Sequence, residues 1–465
     1  MGDGGILVAI DAASREATLF AAIFFLIGGI DDLLVDLIYA IRRMGMALRR
    51  WARPRGTERE IAAAPAAPIA IFVAAWDESA VIGAMLRSAL GRFDYPDYTL
   101  HVGTYPNDPA TIAEVMKVAE TDARVRLVIG PKPGPTTKAD CLNALWRALL
   151  HDEAAAGRAV AAVVLHDAED LVHPLELRVF ADFLRRHGAV HLPVLPLRHP
   201  RSRFVSGHYL DEFAEAHSKT LLVRQALGAG LPLAGTGCAI RRDLLERIAE
   251  ARGGMPFDAT SLVEDYELGL AFRAFGGDCV LARVPERPGG RPVAVRAYFP
   301  STLNAAVRQK ARWMTGIALA GWDRTGWGRP GDLGDHWMRV RDRRATLAMP
   351  VLAIAYCALV LWGAGLAGHA IAGTAAASPA PPVQVLLWAN LALLGWRLAV
   401  RAAFVSRAHG WRDGLLSIPR ILVANYIALL AARRAVAIYA RLLAGSAPRW
   451  DKTEHQFPDS AQVAA

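Results

Sequence analysis

Three acidic clusters precede a glutamine–arginine–tryptophan signature in this chain. The clusters occupy residues 107–108, 166–170 and 263–266, and the signature consists of Gln309, Arg312 and Trp313. Carboxylates at strand ends can hold a divalent metal ion and an activated nucleotide, and a later carboxylate can accept a proton. An arginine can bind a diphosphate, and a tryptophan can stack on the apolar face of a sugar. Residues of these types in this order predict the transfer of a sugar from an activated nucleotide.

The second cluster carries the residues best suited to a metal ion. Asp167 and Glu169 follow the apolar residues 163–165, which are typical of a buried strand. Mg²⁺ and Mn²⁺ prefer oxygen ligands and keep phosphate oxygens in their shell, so we predict that these two carboxylates hold one of these ions. Asp170 is a further candidate ligand. The alternative is a solvated acidic turn that binds no metal.

The third cluster carries the candidate catalytic base. Glu264 and Asp265 begin a predicted helix that ends near Gly276. We predict that Asp265 accepts the proton of an acceptor hydroxyl while that oxygen attacks the anomeric carbon, which is typically worth about 10²- to 10⁴-fold in rate. A single direct displacement of this kind inverts the anomeric centre. The alternative is an ordinary helix cap, because carboxylates are common at that position.

Other candidates for nucleotide binding follow predicted strands or loops. Asp77 and Asp108 each come after a β-rich stretch, and Lys138 follows a loop rich in Gly and Pro. Lys138 could contact a phosphate or the uracil base, and residues 235–237 (Gly-Thr-Gly) allow the backbone to approach an acceptor closely. The chain contains neither GxxxxGK[ST] nor GxGxxG, which argues against a P-loop or a dinucleotide fingerprint. An ordinary turn is the alternative for each of these residues.

Apolar β-rich stretches alternate with helical stretches in the region that carries the first two clusters. Strands are predicted at residues 69–76, 99–105, 125–129 and 159–165. This alternation predicts an α/β domain with a mostly parallel sheet and helices on both faces. Ligands of such sheets bind at the carboxyl ends of the strands. Asp77, Asp108 and Asp167 each follow a predicted strand, so we expect them at that edge.

The composition indicates membrane segments beside the catalytic domain. Of the 465 residues, 53% are hydrophobic and only 21% are charged, which is unusual for a purely soluble enzyme. The four cysteines have no CxxC spacing, so they predict neither a disulfide framework nor a zinc site. A catalytic domain in the reducing cytoplasm is the simplest interpretation.

The first membrane segment is predicted at residues 17–41, since about 20 apolar residues cross a bilayer. Seven arginines between positions 42 and 59 follow it, as the positive-inside rule expects. The alternatives are a nucleic-acid patch for the arginines and a surface-lying amphipathic helix for the segment. Asp31, Asp32 and Asp36 must then face other helices or polar cavities, or shorten the span.

Further apolar segments lie after the catalytic region, at residues 347–371 and 383–405. Arginines flank both segments on one side, which puts that side in the cytoplasm and the Pro-containing loop between the segments outside. Residues 415–443 are apolar but interrupted by Pro419 and several arginines. We predict an interfacial helix or helix pair there, with a full span as the alternative.

The assembled motifs resemble those of family-2 inverting glycosyltransferases, which have a GT-A fold and flanking membrane helices and include cellulose, chitin and hyaluronan synthases. Within this family the chain is most similar to the inner-membrane glycosyltransferases of the phage-adsorption protein B type. HDAED, VEDYELG, QKARW and WDKTEH carry the resemblance, which covers about residues 18–458.

The resemblance implies roles for individual residues. Asp77 and Asp108 would lie near the uridine with Lys138 and Asp167, and Asp167 and Glu169 would take the two DxD positions. Asp265 would be the base, and Glu264, Gln309, Arg312 and Trp313 would form the platform for acceptor and diphosphate. Trp450, Thr453 and His455 would belong to a gating-like loop over the nucleotide. The DxD position reads Asp-Ala-Glu here, which departs from the family pattern.

The resulting hypothesis is a bacterial inner-membrane, multi-pass glycosyltransferase that uses a UDP-sugar, Mg²⁺ or Mn²⁺, and a glycan or lipid-linked acceptor. It would act in envelope polysaccharide synthesis with a possible export partner and without nucleic acid. The predicted parts are a membrane segment (1–41), a basic linker (42–67), a GT-A domain (68–345), two membrane helices (346–405), an interfacial helix with the gating-like loop (406–458) and a disordered tail (459–465). The alternatives are a non-catalytic scaffold of the same fold and an enzyme that adds a single sugar to a lipid carrier.

Overall fold

The computed structural model describes residues 3–52, 66–287, 289–447, 452 and 455–458, and its catalytic part is built on a seven-stranded sheet. The strands are β1 (Ile69–Ala74), β2 (Tyr98–Thr104), β3 (Val125–Ile129), β4 (Ala162–His166), β5 (Ala189–His191), β6 (Val194–Pro196), β7 (Cys238–Arg241), β8 (Cys279–Leu281) and β9 (Val295–Ala297). The large sheet has the order β3-β2-β1-β4-β7-β5-β8, and β6 pairs with β9. Only β7 is antiparallel to its neighbours. The predicted mostly parallel α/β sheet is confirmed.

Helices cover the sheet and extend beyond it. They are α1 (Asp3–Ala52), α2 (Ile82–Arg92), α3 (Pro109–Ala119), α4 (Lys138–Ala156), α5 (Glu176–Leu184), α6 (Gly207–Glu215), α7 (Leu221–Ala226), α8 (Arg242–Ala251), α9 (Glu264–Ala271), α10 (Leu303–Trp313), α11 (Gly321–Arg324), α12 (Leu333–Arg343), α13 (Ala345–Ala372), α14 (Pro381–His409) and α15 (Trp411–Leu443). Two π-helical turns, Ala216–Thr220 and Met314–Leu319, follow α6 and α10, and a 3₁₀ turn, Phe272–Phe275, follows α9.

The central strand β1 is buried on both faces, which explains its unbroken apolar sequence. Successive side chains of a strand point to opposite faces, so Ile71 and Val73 enter one core while Phe72 enters the other. Trp146 of α4 is buried in the same core as Phe72. Helices therefore pack on both faces of the sheet, and only its loop-bearing edge remains for a binding site.

Helix α1 extends further along the chain than predicted. It continues to Ala52 as one helix, past position 42, where the basic linker was predicted to begin. Arginine is a good helix former, so Arg42 and Arg43 are compatible with a helix that continues past position 42. The remainder of the predicted linker, residues 53–65, lies outside the described residues, as does the predicted disordered tail at 459–465.

Among the described residues, four helices are long and apolar enough to cross a membrane: residues Gly5–Met46 of α1, together with α13, α14 and α15. Helices α1 and α13 run antiparallel, since His369 Nε2 lies 2.9 Å from Asp11 Oδ2 and Arg344 Nη1 lies 3.0 Å from Asp31 Oδ2. At 1.5 Å per residue, the helix between Asp11 and Asp31 rises about 30 Å, which is the thickness of a bilayer's hydrocarbon core.

Asp31, Asp32 and Asp36 of α1 face other helices, as expected from the cost of placing charge in lipid. Asp31 and Asp32 bind Arg341, with 2.8 Å between Asp32 Oδ1 and Arg341 Nη2. Asp36 accepts hydrogen bonds from Lys219 and from Trp396 Nε1. These contacts join α1 to the catalytic part of the chain and to α14.

Helix α15 contacts the catalytic part of the chain along its length. Near its start, Arg420 Nη1 donates to Asp211 Oδ1 of α6 at 2.9 Å. In its middle, Ile427 packs beside Tyr209 of α6 and Ala306 of α10. Near its end, Tyr439 Oη donates to Asp323 Oδ2 of α11 at 2.7 Å.

Candidate active site

One cavity of about 430 Å³ lies at the carboxyl edge of the sheet and extends to α9 and α10. Most of the predicted site residues line it: Lys138, Asp167, Glu169, Asp170, Glu264, Asp265, Gln309, Arg312, Trp313 and His455. These side chains come from five distant parts of the sequence. The second and third acidic clusters and the glutamine–arginine–tryptophan signature thus share this cavity, whereas the first cluster, at residues 107–108, does not line it.

Lys138, the first residue of α4, neutralises the acidic floor of the cavity. Its Nζ donates to Asp167 Oδ1 and, at 3.3 Å, to the carbonyl oxygen of Gly235. Although burial alone would lower the pKa of Lys138, the carboxylates of Asp167, Glu264 and Asp265 raise it. The lysine therefore remains charged and is placed to contact an anionic ligand.

Glu169 and His455 of the cavity wall form a second group with Glu78, and the ligand atoms of the three residues lie within 4.8 Å of one another. His455 Nδ1 lies 2.8 Å from Glu78 Oε1 and 3.3 Å from Glu169 Oε2. Burial raises the pKa of Glu169 to about 8, although the positive charge of His455 acts to lower it. Burial would lower the pKa of His455, but Glu169 and Glu78 raise it to about 9. Carboxylates and an imidazole at this distance can hold a divalent ion.

Asp170 supports the cluster from behind. Its Oδ2 accepts from the backbone N–H of Asp167 at 2.9 Å, from the Thr236 hydroxyl and from His166 Nδ1 at 2.8 Å. The other ring nitrogen of His166 lies 2.6 Å from Glu176 Oε1. Burial alone would lower the pKa of His166, but Glu176 and Asp170 raise it to about 10. Asp170 thus fixes the loop that carries Asp167, which leaves its Oδ2 no capacity for a metal ion.

Glu264 and Asp265 occupy the first turn of α9 and point into the cavity. Burial raises the pKa of Glu264 to about 7, and Asp265 adds to the rise. Burial also raises the pKa of Asp265, whereas Lys138 lowers it. Gly235 lies close by at φ +72°, and a Cβ there would sit 2.7 Å from Asp265 Oδ2. The glycine predicted to allow close backbone approach thus does so against the candidate base.

Gln309, Arg312 and Trp313 form the opposite wall, on α10. Gln309 Oε1 and Arg312 Nε are buried and have no hydrogen-bond partner among the described residues. Trp313 packs against Tyr209 and Phe213 of α6, with ring centroids 6.2 and 6.4 Å apart. Unpaired buried polar atoms are costly, so their position at a cavity favours a bound polar ligand.

Two of the predicted nucleotide-binding residues lie outside this cavity lining. Asp108 caps α3: its Oδ1 accepts from the Thr111 N–H at 3.2 Å and its Oδ2 from the Asp77 N–H at 2.6 Å. Asp77 has a positive φ of 53° and an exposed side chain, beside Lys452. Trp450 and Thr453 of the gating-like loop lie outside the described residues.

Sequence reasoning missed Glu78 and Arg324. Glu78 follows Asp77 directly, so a carboxylate adjacent to a predicted site residue was the available signal. Arg324 of α11 had no such signal, because its partners Asp258, Thr260 and Glu267 lie far from it in the sequence. Its guanidinium joins the loop before α9 to the first turn of α9.

Comparison with known proteins shows which family of proteins this chain is similar to. The model of glycosyltransferase-like family 2 matches residues 65–316. Bacteriophage adsorption protein B of Escherichia coli K12 is 35% identical over 461 residues, which cover 94% of this chain and 61% of that protein. Bacteriophage N4 adsorption protein B of E. coli O157:H7 gives the same figures. The chain thus spans 61% of the length of these curated relatives.

Two solved structures are similar over large parts of the chain. A mannosyltransferase from Pyrobaculum calidifontis, solved with GDP-Man and Mn²⁺, is 18% identical with a TM-score of 0.49 and covers 92% of this chain and 99% of its own. Glucosyl-3-phosphoglycerate synthase from Mycobacterium tuberculosis is 21% identical with a TM-score of 0.35, over 60% of this chain and 88% of its own.

Proposed function

The chain belongs to glycosyltransferase family 2 and has a GT-A fold, and we propose that it is a membrane-bound, inverting enzyme that uses a UDP-sugar. The observation that carries this proposal is the single cavity shared by Asp265, Lys138, Asp167 and Arg312. It brings a candidate base, two cations and a metal-binding carboxylate within reach of one nucleotide-sugar. A non-catalytic scaffold would have no need of such convergence.

The proposed reaction is one displacement at the anomeric carbon. The acceptor hydroxyl loses its proton to an Asp265 oxygen while its own oxygen forms a bond to that carbon. The bond between the carbon and the UDP oxygen breaks on the opposite face, and UDP leaves with the electron pair. Arg312 and Lys138 lie in the same cavity, where they would stabilise the charge that develops on the diphosphate. Trp313 would hold the acceptor ring.

The donor atoms present fit a divalent ion. We propose that Glu169 and His455 hold Mn²⁺ or Mg²⁺ together with Glu78, and that Asp167 of the same cavity supplies a further carboxylate. The bound ion would neutralise part of the negative charge on the departing diphosphate. Carboxylates suit both ions, and the imidazole favours Mn²⁺ over Mg²⁺ because Mg²⁺ prefers oxygen alone.

We further propose an inner-membrane location with the catalytic domain in the cytoplasm. The paired polar groups at both ends of the α1–α13 pair support a crossing there, and α14 packs against α1 through Asn390 Nδ2, 2.9 Å from the Ala22 carbonyl oxygen. The contacts of α15 with α6, α10 and α11 support an interfacial position for it, because a crossing helix would leave the domain after a few turns. Two curated relatives are named as bacteriophage adsorption proteins, which supports a product or export partner in the cell envelope.

The test is a comparison of Asp265→Asn with Glu246→Gln, a control on the exposed side of α8. The purified, membrane-reconstituted chain is supplied with a panel of UDP-sugars and Mn²⁺, and UDP release and nucleotide binding are measured. We expect Asp265→Asn to lose transfer by at least about 10²-fold with nearly intact UDP binding, and Glu246→Gln to behave as wild type. Equal turnover by Asp265→Asn would remove Asp265 from the base role, and no turnover by wild type would favour the scaffold.

A further inference from the structure

A second cavity, of about 440 Å³, lies entirely in the catalytic part of the chain, and we call it the rear pocket. Its lining comes from the loop after β3, from one face of α4 and from the segment after α8: Lys132, Asp140, Asn143, Arg147, Arg252, Met255, Phe257, Asp258 and Ala259. None of these nine residues lines the active-site cavity. Small-molecule sites typically have volumes of roughly 300–1,000 Å³. The rear pocket can therefore hold a ligand of its own while a nucleotide-sugar occupies the active site.

Hydrogen bonds between α4 and the segment after α8 hold the wall of the rear pocket together. Asn143 Nδ2 donates to the carbonyl oxygen of Phe257 at 2.7 Å, and the Phe257 N–H donates back to Asn143 Oδ1 at 3.1 Å. Thr137 Oγ1 donates to the carbonyl oxygen of Ala259 at 2.9 Å. The shape of the pocket is thus set before a ligand arrives, which lowers the entropic cost of binding.

Three cationic side chains from separate parts of the sequence line the rear pocket: Lys132, Arg147 and Arg252. Among the described residues, neither Arg147 nor Arg252 forms an ion pair with a carboxylate. Arg252 Nη1 donates to the carbonyl oxygen of Pro256 at 2.8 Å, and its guanidinium lies 5.9 Å from the ring centroid of Phe275. These contacts hold the Arg252 guanidinium at the pocket while most of its N–H groups stay available to a ligand.

Only one carboxylate in the lining is left to oppose these cations. Asp258 Oδ2 accepts from Arg324 Nη2 at 2.7 Å, and its Oδ1 accepts from the Thr260 N–H at 2.9 Å. The charge of Asp258 is therefore already balanced by an arginine outside the pocket. Asp140 lies beside Lys132, with 3.8 Å between Oδ1 and Nζ. The surplus of positive charge favours an anionic ligand.

We propose that the rear pocket binds a small phosphate-bearing ligand from solution, at a site separate from that of the UDP-sugar. Arginine presents several N–H groups in one plane, which match the oxygens of a phosphate in pairs, and a lysine adds a compact charge. A lipid headgroup has the same chemistry, but none of the lining residues belongs to α1, α13, α14 or α15. The ligand would contact both chain segments that lead into the active-site cavity, one to Lys138 and the other to Asp265.

The test measures the binding of inorganic phosphate to the full detergent-purified chain by calorimetry. Saturating UDP and Mg²⁺ fill the active site, and the ionic strength is held constant. We expect one phosphate to bind per chain, with a Kd that does not change when the UDP concentration is raised further. Displacement of phosphate by UDP, or no phosphate binding to a chain that binds UDP, overturns the inference. A chain that binds phosphate but not UDP keeps the inference and contradicts the proposed function.

Variants of the charged lining locate the bound phosphate. Arg147→Gln and Arg252→Gln should each weaken phosphate binding by at least about 10-fold, because hydrogen bonds from a charged donor are roughly twice as strong as neutral ones. Asp140→Asn removes the opposing carboxylate and should tighten binding by about 3-fold or more. The matched control is Arg158→Gln, which removes an exposed ion pair with Asp97 and should bind phosphate as wild type does.

UDP binding reports whether each variant is folded. Wild-type phosphate affinity in folded Arg147→Gln and Arg252→Gln would place the phosphate elsewhere and overturn the inference. A last comparison uses nanodiscs of phosphatidylcholine with and without phosphatidic acid. Equal phosphate binding in both supports a soluble ligand, whereas loss of phosphate binding in the discs with phosphatidic acid would assign the rear pocket to a lipid headgroup and overturn the proposal of a soluble ligand.

Discussion

At the scale of single residues, some acidic side chains of the site can contact a ligand, whereas others hold neighbouring residues in place. Asp167, Glu169 and Asp265 line the cavity, whereas the two carboxylate oxygens of Asp108 accept from the backbone N–H of Thr111 in α3 and that of Asp77. The sequence places all four after strands or at helix starts. Only the contacts in the folded structure distinguish an acidic residue that can bind a ligand from one that caps a helix.

His455 gives the sharpest test of the metal group. Replacing it by glutamine removes the imidazole beside Glu169 and Glu78. We expect the Mn²⁺ concentration for half-maximal transfer to rise about 10- to 100-fold, with less change for Mg²⁺, since loss of a supporting group at a metal site typically has that cost. The control is His151→Gln, an exposed position of α4. A metal requirement identical to wild type would exclude His455 from the group.

The buried carboxylates of α9 predict an acidic limit to activity. Asp265 accepts a proton only when it is ionised, and burial raises its pKa and that of Glu264, the latter to about 7. Transfer is therefore expected to be full at high pH and to fall as the pH drops through the raised pKa of Asp265, above the range of an ordinary aspartate. The profile of kcat/KM against pH measures this. Glu264→Gln removes the neighbouring carboxyl group, so the acidic limb of this variant's pH profile should move to lower pH. An acidic limb at the wild-type position would contradict an electrostatic interaction between Glu264 and Asp265.

At the scale of elements, α9 is held by contacts from outside the sheet. Arg324 Nε donates to Glu267 Oε1 at 2.6 Å, and its Nη2 donates to Asp258 Oδ2 at 2.7 Å. Tyr266 Oη donates to Asp342 Oδ2 at 2.6 Å. These contacts connect the turn that carries Asp265 to α11 and α12, directly before the apolar helix α13. The candidate base Asp265 is thus positioned by elements that directly precede the apolar helix α13.

Arg324→Met should loosen this arrangement without removing any cavity residue. We expect kcat to fall about 10-fold or more with little change in KM for the UDP-sugar, because a small displacement of a reacting group strongly lowers the reaction rate. Arg324→Lys should recover part of the loss. The matched control is Arg247→Met, which removes an exposed ion pair with Asp243 on α8. A rise in KM alone, with kcat intact, would assign Arg324 to donor binding instead.

Helix α15 predicts a labelling pattern that a crossing helix cannot give. In a Cys357→Ala background, Arg412→Cys and Ser446→Cys mark its two ends, and Ala376→Cys marks the loop between α13 and α14. An impermeant maleimide should label both ends of α15 only in inverted vesicles, and Ala376→Cys only in intact spheroplasts. Labelling of one α15 end from outside would show that the helix crosses.

At the scale of the whole molecule, the sequence predicted the parts with local signals and missed those that depend on distant contacts. The alternation of strands and helices identified β1 to β4 and the edge where Asp167 lies. The spacing of apolar residues and the turn residues are signals contained in short stretches of sequence. His455 meets Glu78 across 377 positions of sequence, and no local pattern reports such a contact. The same holds for Arg324 and its partners.

The contact between α1 and the catalytic part predicts a large effect of one buried lysine. Lys219 is 2% exposed and binds Asp36 of α1 and Glu215 of α6, and Glu215 also accepts from Arg397 Nη1 of α14 at 2.7 Å. Removing one partner of a buried ion pair leaves the other charge uncompensated, which typically costs about 3–5 kcal/mol. Lys219→Met should therefore lower the thermal midpoint of the detergent-purified chain by several degrees. Lys117→Met, which removes an exposed pair with Glu114, should change stability by about 0.5 kcal/mol or less. Because Lys219 joins α1, α6 and, through Glu215, α14, an unchanged midpoint would mean that this buried ion-pair group does not contribute to holding the apolar helices on the catalytic domain.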